Sequence, residues 1–164
     1  MTPFLTVLEA FDRQGVDYIA VGGMAVIMHG SVRTTTDLDL VIHLTAGNTK
    51  KAIEVLLRGG LRPRAPVDAR EFADEGTRKK WIQEKNMIVF SFYHKDHPMN
   101  DVDIFVQHPL DYESLRSRSV VMDLGKVKIR VCGLEDLLEL KKRAGRPKDL
   151  EDIRQLEQIK NAKL

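Results

Sequence analysis

Two carboxylates, Asp37 and Asp39, stand one residue apart in the apolar run TDLDLV. On a strand, alternate side chains share a face. Asp37 and Asp39 are therefore expected on one side, with Leu38, Leu40 and Val41 going to the core. Acidic side chains are seldom fully buried unless something pairs with them. Two same-face carboxylates repel, and a divalent cation is the usual remedy. A second alternating pair, Asp101 and Asp103, lies in NDVDIFV. If its strand runs near the first, three or four carboxylates converge, as a two-metal site with ions ~3.5–4 Å apart requires. Asp103, bracketed by Val102 and Ile104, is the deeper candidate. Asp101, beside Asn100 and a turn, reads as a strand-start acid. Upstream, Gly22-Gly23 allows a backbone to approach a ligand closely, and the helix that follows offers N-terminal amides to phosphate. Metal plus phosphate points to nucleotide chemistry.

The basic residues are read two ways. Arg33, just before TTTD, either reaches phosphate or pairs with an acid. Lys141 and Lys142 either belong to a solvated helix face or include a lysine that reaches a triphosphate. On a helix, Lys141 lies four residues after Leu137 and three after Leu138, at the edge of a buried stripe, while Lys142 turns toward solvent. Lys141→Ala is therefore expected to weaken nucleotide binding with little change in stability. Arg62, Arg64, Arg78, Lys79 and Lys80 are either a patch for a polyanionic acceptor or ordinary surface. His29 is read as a satisfied structural histidine more readily than a functional one. His94, His97 and His108 have no zinc spacing. No GxSxG or Walker A motif is present.

These residues need elements to hold them. Thr2-Pro3 opens a helix whose apolar stripe is Phe4, Leu5, Leu8 and Phe11, ending at Gly15. Strands are expected at 16–21, 37–44, 87–93 and 101–107, the last two as antiparallel partners. A short helix is expected at 24–29, and an amphipathic one at 50–58 closed by Gly59-Gly60. Residues 61–67 read as a loop. A helix from Asp68, with a capping box to Glu71, runs to Lys85 with a weak point at Gly76. A hairpin spans 120–131, followed by helices at 134–144 and 148–159. In that helix pair, Asp149 or Asp152 is expected to answer Arg146 or Lys148. The fold class is α/β (α+β): a mixed sheet with helices packed on it and a C-terminal helix pair. Residues 1–164 form a single domain, with a core of about 16–131 and the helix pair at 133–160.

The formal charge of +2 comes from 26 basic and 24 acidic residues, so the balance does not announce a nucleic-acid binder. The one cysteine, Cys132, excludes an internal disulfide, fits a reducing cytoplasm and reads as a small buried hydrophobe. No apolar run approaches ~20 residues, so no membrane span is expected, and the N-terminus has no signal core.

The segment Val21-Gly22-Gly23, a spacer of thirteen residues, Asp37-Leu38-Asp39-Leu40, and then Val102-Asp103-Ile104 resembles the signature of the DNA polymerase beta-type nucleotidyltransferases. The context of Gly23, Ala25, His29 and Arg33 to Asp37, and the ending from Leu138 to Leu156 (LxLKxxAGRxKDLxDIxxL), are similar to minimal bacterial members. These are grouped with the AbiEii-type toxins of type IV toxin–antitoxin systems. The resemblance spans Val16 to Leu156. It implies that Gly22 and Gly23 contact nucleotide phosphates, that Asp37, Asp39 and Asp103 are catalytic and hold Mg²⁺ or Mn²⁺, and that Asp103 helps deprotonate the attacking hydroxyl. The toxins' C-terminal lysine matches Lys141 best. The chain is short beside full AbiEii-type toxins, and it has GG where many superfamily members have GS. The expected function is magnesium-dependent transfer of a nucleoside monophosphate from a nucleoside triphosphate to a hydroxyl on RNA, protein or a small molecule, with an antitoxin as a possible partner. The alternative is a non-catalytic nucleotide- or partner-binding module.

Overall fold

The computed structural model describes residues 3–163. The expected cap at Thr2 lies outside them. Helix α1 (Pro3–Gln14) buries Phe4, Val7, Leu8 and Phe11. Strand β1 (Tyr18–Val21) runs directly into α2 (Gly22–Met28), and β2 (Leu38–Ile42) follows. Helix α3 (Ala46–Arg58) starts earlier than its apolar pattern suggests, because the Thr45 side chain accepts the Asn48 amide and caps it.

The stretch after α3 departs from expectation. Leu61–Pro63 forms an edge strand, β3, which pairs antiparallel with β4 (Val89–His94). The expected long helix from Asp68 is two pieces, a 3₁₀ turn (Ala69–Ala73) and α4 (Glu75–Lys85). The break falls at Asp74, not Gly76, because the Asp74 carboxylate accepts the Thr77 amide and starts a new helix. Asp68 caps the Arg70 amide, not a Glu71 box. The turn expected over 94–100 shrinks to two residues, and β5 (His97–Phe105) is correspondingly longer. Helix α5 (Tyr112–Arg118) is announced by no sequence pattern. The hairpin β6 (Val120–Asp123) and β7 (Lys128–Val131) and the pair α6 (Leu134–Ala144) and α7 (Pro147–Ala162) fall where expected.

The strands of the described residues form one mixed sheet in the order β3-β4-β5-β2-β1-β7-β6. Strands β4 and β5 are antiparallel, as predicted, and β2 and β5 are parallel neighbours. On one sheet face Leu38, Leu40, Val102 and Ile104 are buried, with α1 and α3 over them. There the Phe11 ring meets Tyr18 at 5.7 Å. Phe72, Trp81, Phe90 and Phe92 form a stacked and edge-on aromatic set that anchors β4, the outer neighbour of β5. The other face carries the acids and meets α6. None of the described helices is long and apolar enough to cross a membrane.

Candidate active site

The site begins where β1 ends. Val21 lies opposite Asp39 in the antiparallel β1–β2 pair. Gly22 has φ +65°, and a Cβ there would sit 2.1 Å from the Asp39 carboxylate oxygen Oδ2. Only glycine lets the chain turn into α2 while leaving room for that carboxylate. A Cβ on Gly23 would meet the Thr35 hydroxyl oxygen at 2.8 Å. Thr35 donates that hydroxyl to the Asp37 carbonyl at 3.1 Å, which ties the loop before β2 against the glycine pair.

The parallel register of β2 and β5 places Asp39 beside Asp103. Asp37, one residue ahead of β2, lines the same cleft of about 180 Å³, together with Gly22, Gly23, Arg33, Thr35 and Phe105. Burial, and then the charges of Asp103 and Asp37, push the Asp39 carboxyl up to about 6, with Lys141 and Lys148 pulling the other way. Asp103 is also raised, first by burial, with a Ser91 hydrogen bond opposing and Asp37 and Asp101 adding to the rise. The Asp103 Oδ1 atom is buried and has no hydrogen-bond partner. Oxygen-only donors, an orphaned carboxylate oxygen and uncompensated negative charge suit a hard divalent cation. Among the described residues, no three acid, histidine or cysteine side chains are grouped to hold an ion unaided.

The opposite wall is basic and comes from α6 and α7. Leu137, Leu140, Lys141, Ala144, Arg146, Lys148 and Asp149 all line the cleft. An ion network runs through this wall. Arg33 donates to both oxygens of Asp152 at 2.8 and 2.6 Å. Lys141 bridges Asp152 at 2.9 Å and Asp149 at 3.2 Å. The Arg146 side chain and backbone amide both donate to Asp149. Asp149 is 0% exposed, Asp152 3% and Lys141 6%. Burial alone would raise Asp149, but the hydrogen bonds from Arg146 and Lys141 outweigh it and hold its carboxyl below the usual range.

The structure thus brings together Gly22, Gly23, Arg33, Asp37, Asp39, Asp103 and Lys141. It sets Asp101 apart in a bidentate pair with Arg64, both contacts at 2.6 Å. Lys141 is at the rim of the acid cleft, yet it is buried in an ion network and is no loosely held edge lysine. Asp149 takes Arg146 as expected, whereas Asp152 takes Arg33 and Lys141. His29 is structural: its Nε2–H donates to the Cys132 carbonyl at 2.8 Å. Four of the five residues of the basic set have local partners, Arg64 among them through Asp101. Arg78 is buried and donates to the Phe72 carbonyl, Arg62 donates to Leu57 and Leu61 carbonyls, and Lys79 pairs with Glu75. Sequence reasoning missed Thr35, Arg146 and Lys148 as cleft residues. The RxKD spacing put Arg146 and Lys148 in view, but only as partners for acids.

Over residues 5–164 the sequence matches the family described as nucleotidyltransferases of unknown function, DUF6036. The chain belongs to this nucleotidyltransferase family. No curated protein matches the sequence. Among solved structures, a lincomycin-bound lincosamide antibiotic adenylyltransferase, LnuA, is similar, with TM-score 0.64 and 18% identity over 95% of each chain. So is ANT(2")-Ia in complex with adenylyl-2"-tobramycin, with TM-score 0.60, 14% identity, and 96% of this chain and 90% of that one covered. An antigenic nucleotidyltransferase-like protein from Paracoccidioides brasiliensis has TM-score 0.56 and 19% identity, with 95% of this chain and 73% of that one covered. These likenesses show the nucleotidyltransferase fold, including its mixed sheet.

Proposed function

We propose that the chain acts as a single domain that transfers a nucleoside monophosphate from a magnesium-bound nucleoside triphosphate to a hydroxyl of a small molecule. The observation that carries this is the register of β2 and β5, which sets Asp39 beside Asp103 facing the glycine pair and the basic wall. Asp37, Asp39 and Asp103 would hold the divalent cation together with oxygens of the substrate phosphates, since the acids are not grouped to hold it unaided. When bound, the cation neutralises phosphate charge and orients the α-phosphate. Gly22 and Gly23 give the phosphates close access to backbone, and Arg33, held by Asp152, and Lys141 shape the positive wall beside them. Asp103, raised by burial, takes the proton of the acceptor hydroxyl. The new bond joins that oxygen to the α-phosphorus, the bond to the β-phosphate oxygen breaks, and pyrophosphate leaves. Positioning and charge complementarity supply most of the acceleration, as in other phosphoryl transfers.

A small-molecule acceptor is favoured over RNA because the basic residues beyond Asp103 are already committed. Arg64 is held by Asp101, and Arg78 is buried. Two similar structures hold small antibiotics or their adenylylated form, lincomycin and adenylyl-2"-tobramycin. The test is incubation of the protein and Mg²⁺ with each α-labelled nucleoside triphosphate. Acceptors are supplied as a small-molecule extract, total RNA or protein. Label should move to the small-molecule fraction with release of pyrophosphate. Asp103→Asn should abolish transfer. Asp101→Ala should keep it within about threefold, since Asp101 lies outside the cleft and an exposed ion pair contributes little. Label found in RNA alone would refute the acceptor class, and no label in any fraction would refute the reaction.

A further inference from the structure

Resting on the nucleotidyltransferase reading, we propose that Lys148 is the side chain that contacts the triphosphate directly, and that Lys141 serves as a positioning residue. Four cations line the cleft: Arg33, Lys141, Arg146 and Lys148. Three are committed. Arg33 is on Asp152, Arg146 is on Asp149, and Lys141 bridges both carboxylates. A phosphate that captured the Lys141 ammonium would strip buried acids of their partner, which is costly when a carboxylate has no other access to solvent. Lys148 is different. It is exposed, and among the described residues no carboxylate lies within ion-pair distance of its ammonium.

Its mounting suits the task. Lys148 follows Pro147 in the first turn of α7, and the residue before the proline, Arg146, is fixed to Asp149 through both side chain and amide. The backbone is therefore held while the side chain is free, a compact point charge on a rigid base. It lines the same cleft as Asp37, Asp39 and Asp103, the acids that would hold the cation. Lys141 reaches the ligand indirectly. By holding Asp149 and Asp152 it orients Arg146, Arg33 and the start of α7.

Isothermal titration in Mg²⁺ with ATP, GTP, CTP and UTP and with the four monophosphates tests the assignment. Wild-type protein should bind at least one triphosphate. Lys148→Ala should weaken that triphosphate by about tenfold or more, the scale of one lost charge-assisted hydrogen bond, and leave the matching monophosphate within about twofold. Its melting temperature should match wild type, and Lys148→Arg should recover most of the affinity. Lys141→Ala should lower the melting temperature. Unchanged triphosphate binding by Lys148→Ala would overturn the assignment while leaving the nucleotidyltransferase reading intact. Equal weakening of triphosphate and monophosphate would overturn it as well. Lys141→Ala that keeps its melting temperature but loses triphosphate binding would reverse the two roles. Wild-type protein that binds none of the triphosphates would overturn the parent reading together with this one.

Discussion

Asp39 is strained by its own surroundings. Its folded carboxyl titrates at about 6 against an ordinary 3.8, with burial as the largest cause. The native state therefore holds that proton more tightly than the unfolded chain does. Stability from this group is greatest below pH ~4 and is lost as pH rises through ~6, a fall on the order of 3 kcal/mol. Asp39→Asn mimics the protonated form. In EDTA the variant should be more stable than wild type at pH 7.5, with a gain that disappears near pH 4, read by urea unfolding across pH. A gain of the same size at every pH would contradict an origin in the titration of Asp39. The variant should also lose magnesium-dependent nucleotide binding. Gly23 offers a second check at this scale. Serine there meets the Thr35 side chain, whose hydroxyl occupies the space beside it. Gly23→Ser should lower the melting temperature, and adding Thr35→Ala should recover part of the loss, a coupling that two independent sites would not show. The acids themselves were legible in the sequence, because period-2 alternation assigns a face to each residue. Thr35 was not, because its contact with Gly23 depends on how the loop folds back.

The C-terminal helices were legible as elements and only partly as a site. Their apolar stripe and the Gly145 stop are local signals, and α6 spans the residues expected. The choice of ion partners is not local: Arg33 meets Asp152 across 119 residues of sequence. That contact changes what Lys141 should do. Removing its ammonium leaves Asp149 and Asp152 buried with fewer cations, which typically costs ~3–5 kcal/mol when one partner of a buried pair is lost. Lys141→Ala should therefore unfold at clearly lower urea, contrary to the neutral effect on stability that the sequence alone suggested. Lys142→Ala should match wild type, since its exposed side chain meets Glu157 only at 3.9 Å. Equal midpoints for the two variants would argue against the network. Two other elements hid for related reasons. Strand β3 contains Pro63 and two arginines flank that proline, so it forms only because β4 offers a pairing edge. Helix α5 buries only Tyr112 and Leu115, too few positions for a periodic signal.

Across the whole molecule, most of the sheet was foreseen because strands and hairpins announce themselves locally, while their order was not. The parallel β2–β5 and β1–β7 neighbours are tertiary choices. Cys132 sits beside the second of these junctions, where its amide donates to the Ala20 carbonyl at 3.0 Å. Its thiol is fully buried and burial pushes it up to about 12. Ellman's reagent should therefore leave the folded protein unmodified and react only as fast as the molecule opens globally, with a rate that rises with urea. Rapid labelling in buffer would show that this end of the sheet opens locally. Along β5, Val102 and Ile104 face inward, and Asp103 between them faces the cleft. Selection for thermal tolerance and selection for chemistry thus act on different residues of one strand, and either can drift without the other. In the α6–α7 wall that freedom is narrower. Lys141, Arg146 and Asp149 tie the helices together and also line the cleft, so a lineage that retunes its substrate at those three must also renegotiate whether it stays folded, and Lys148 is the position left open to change.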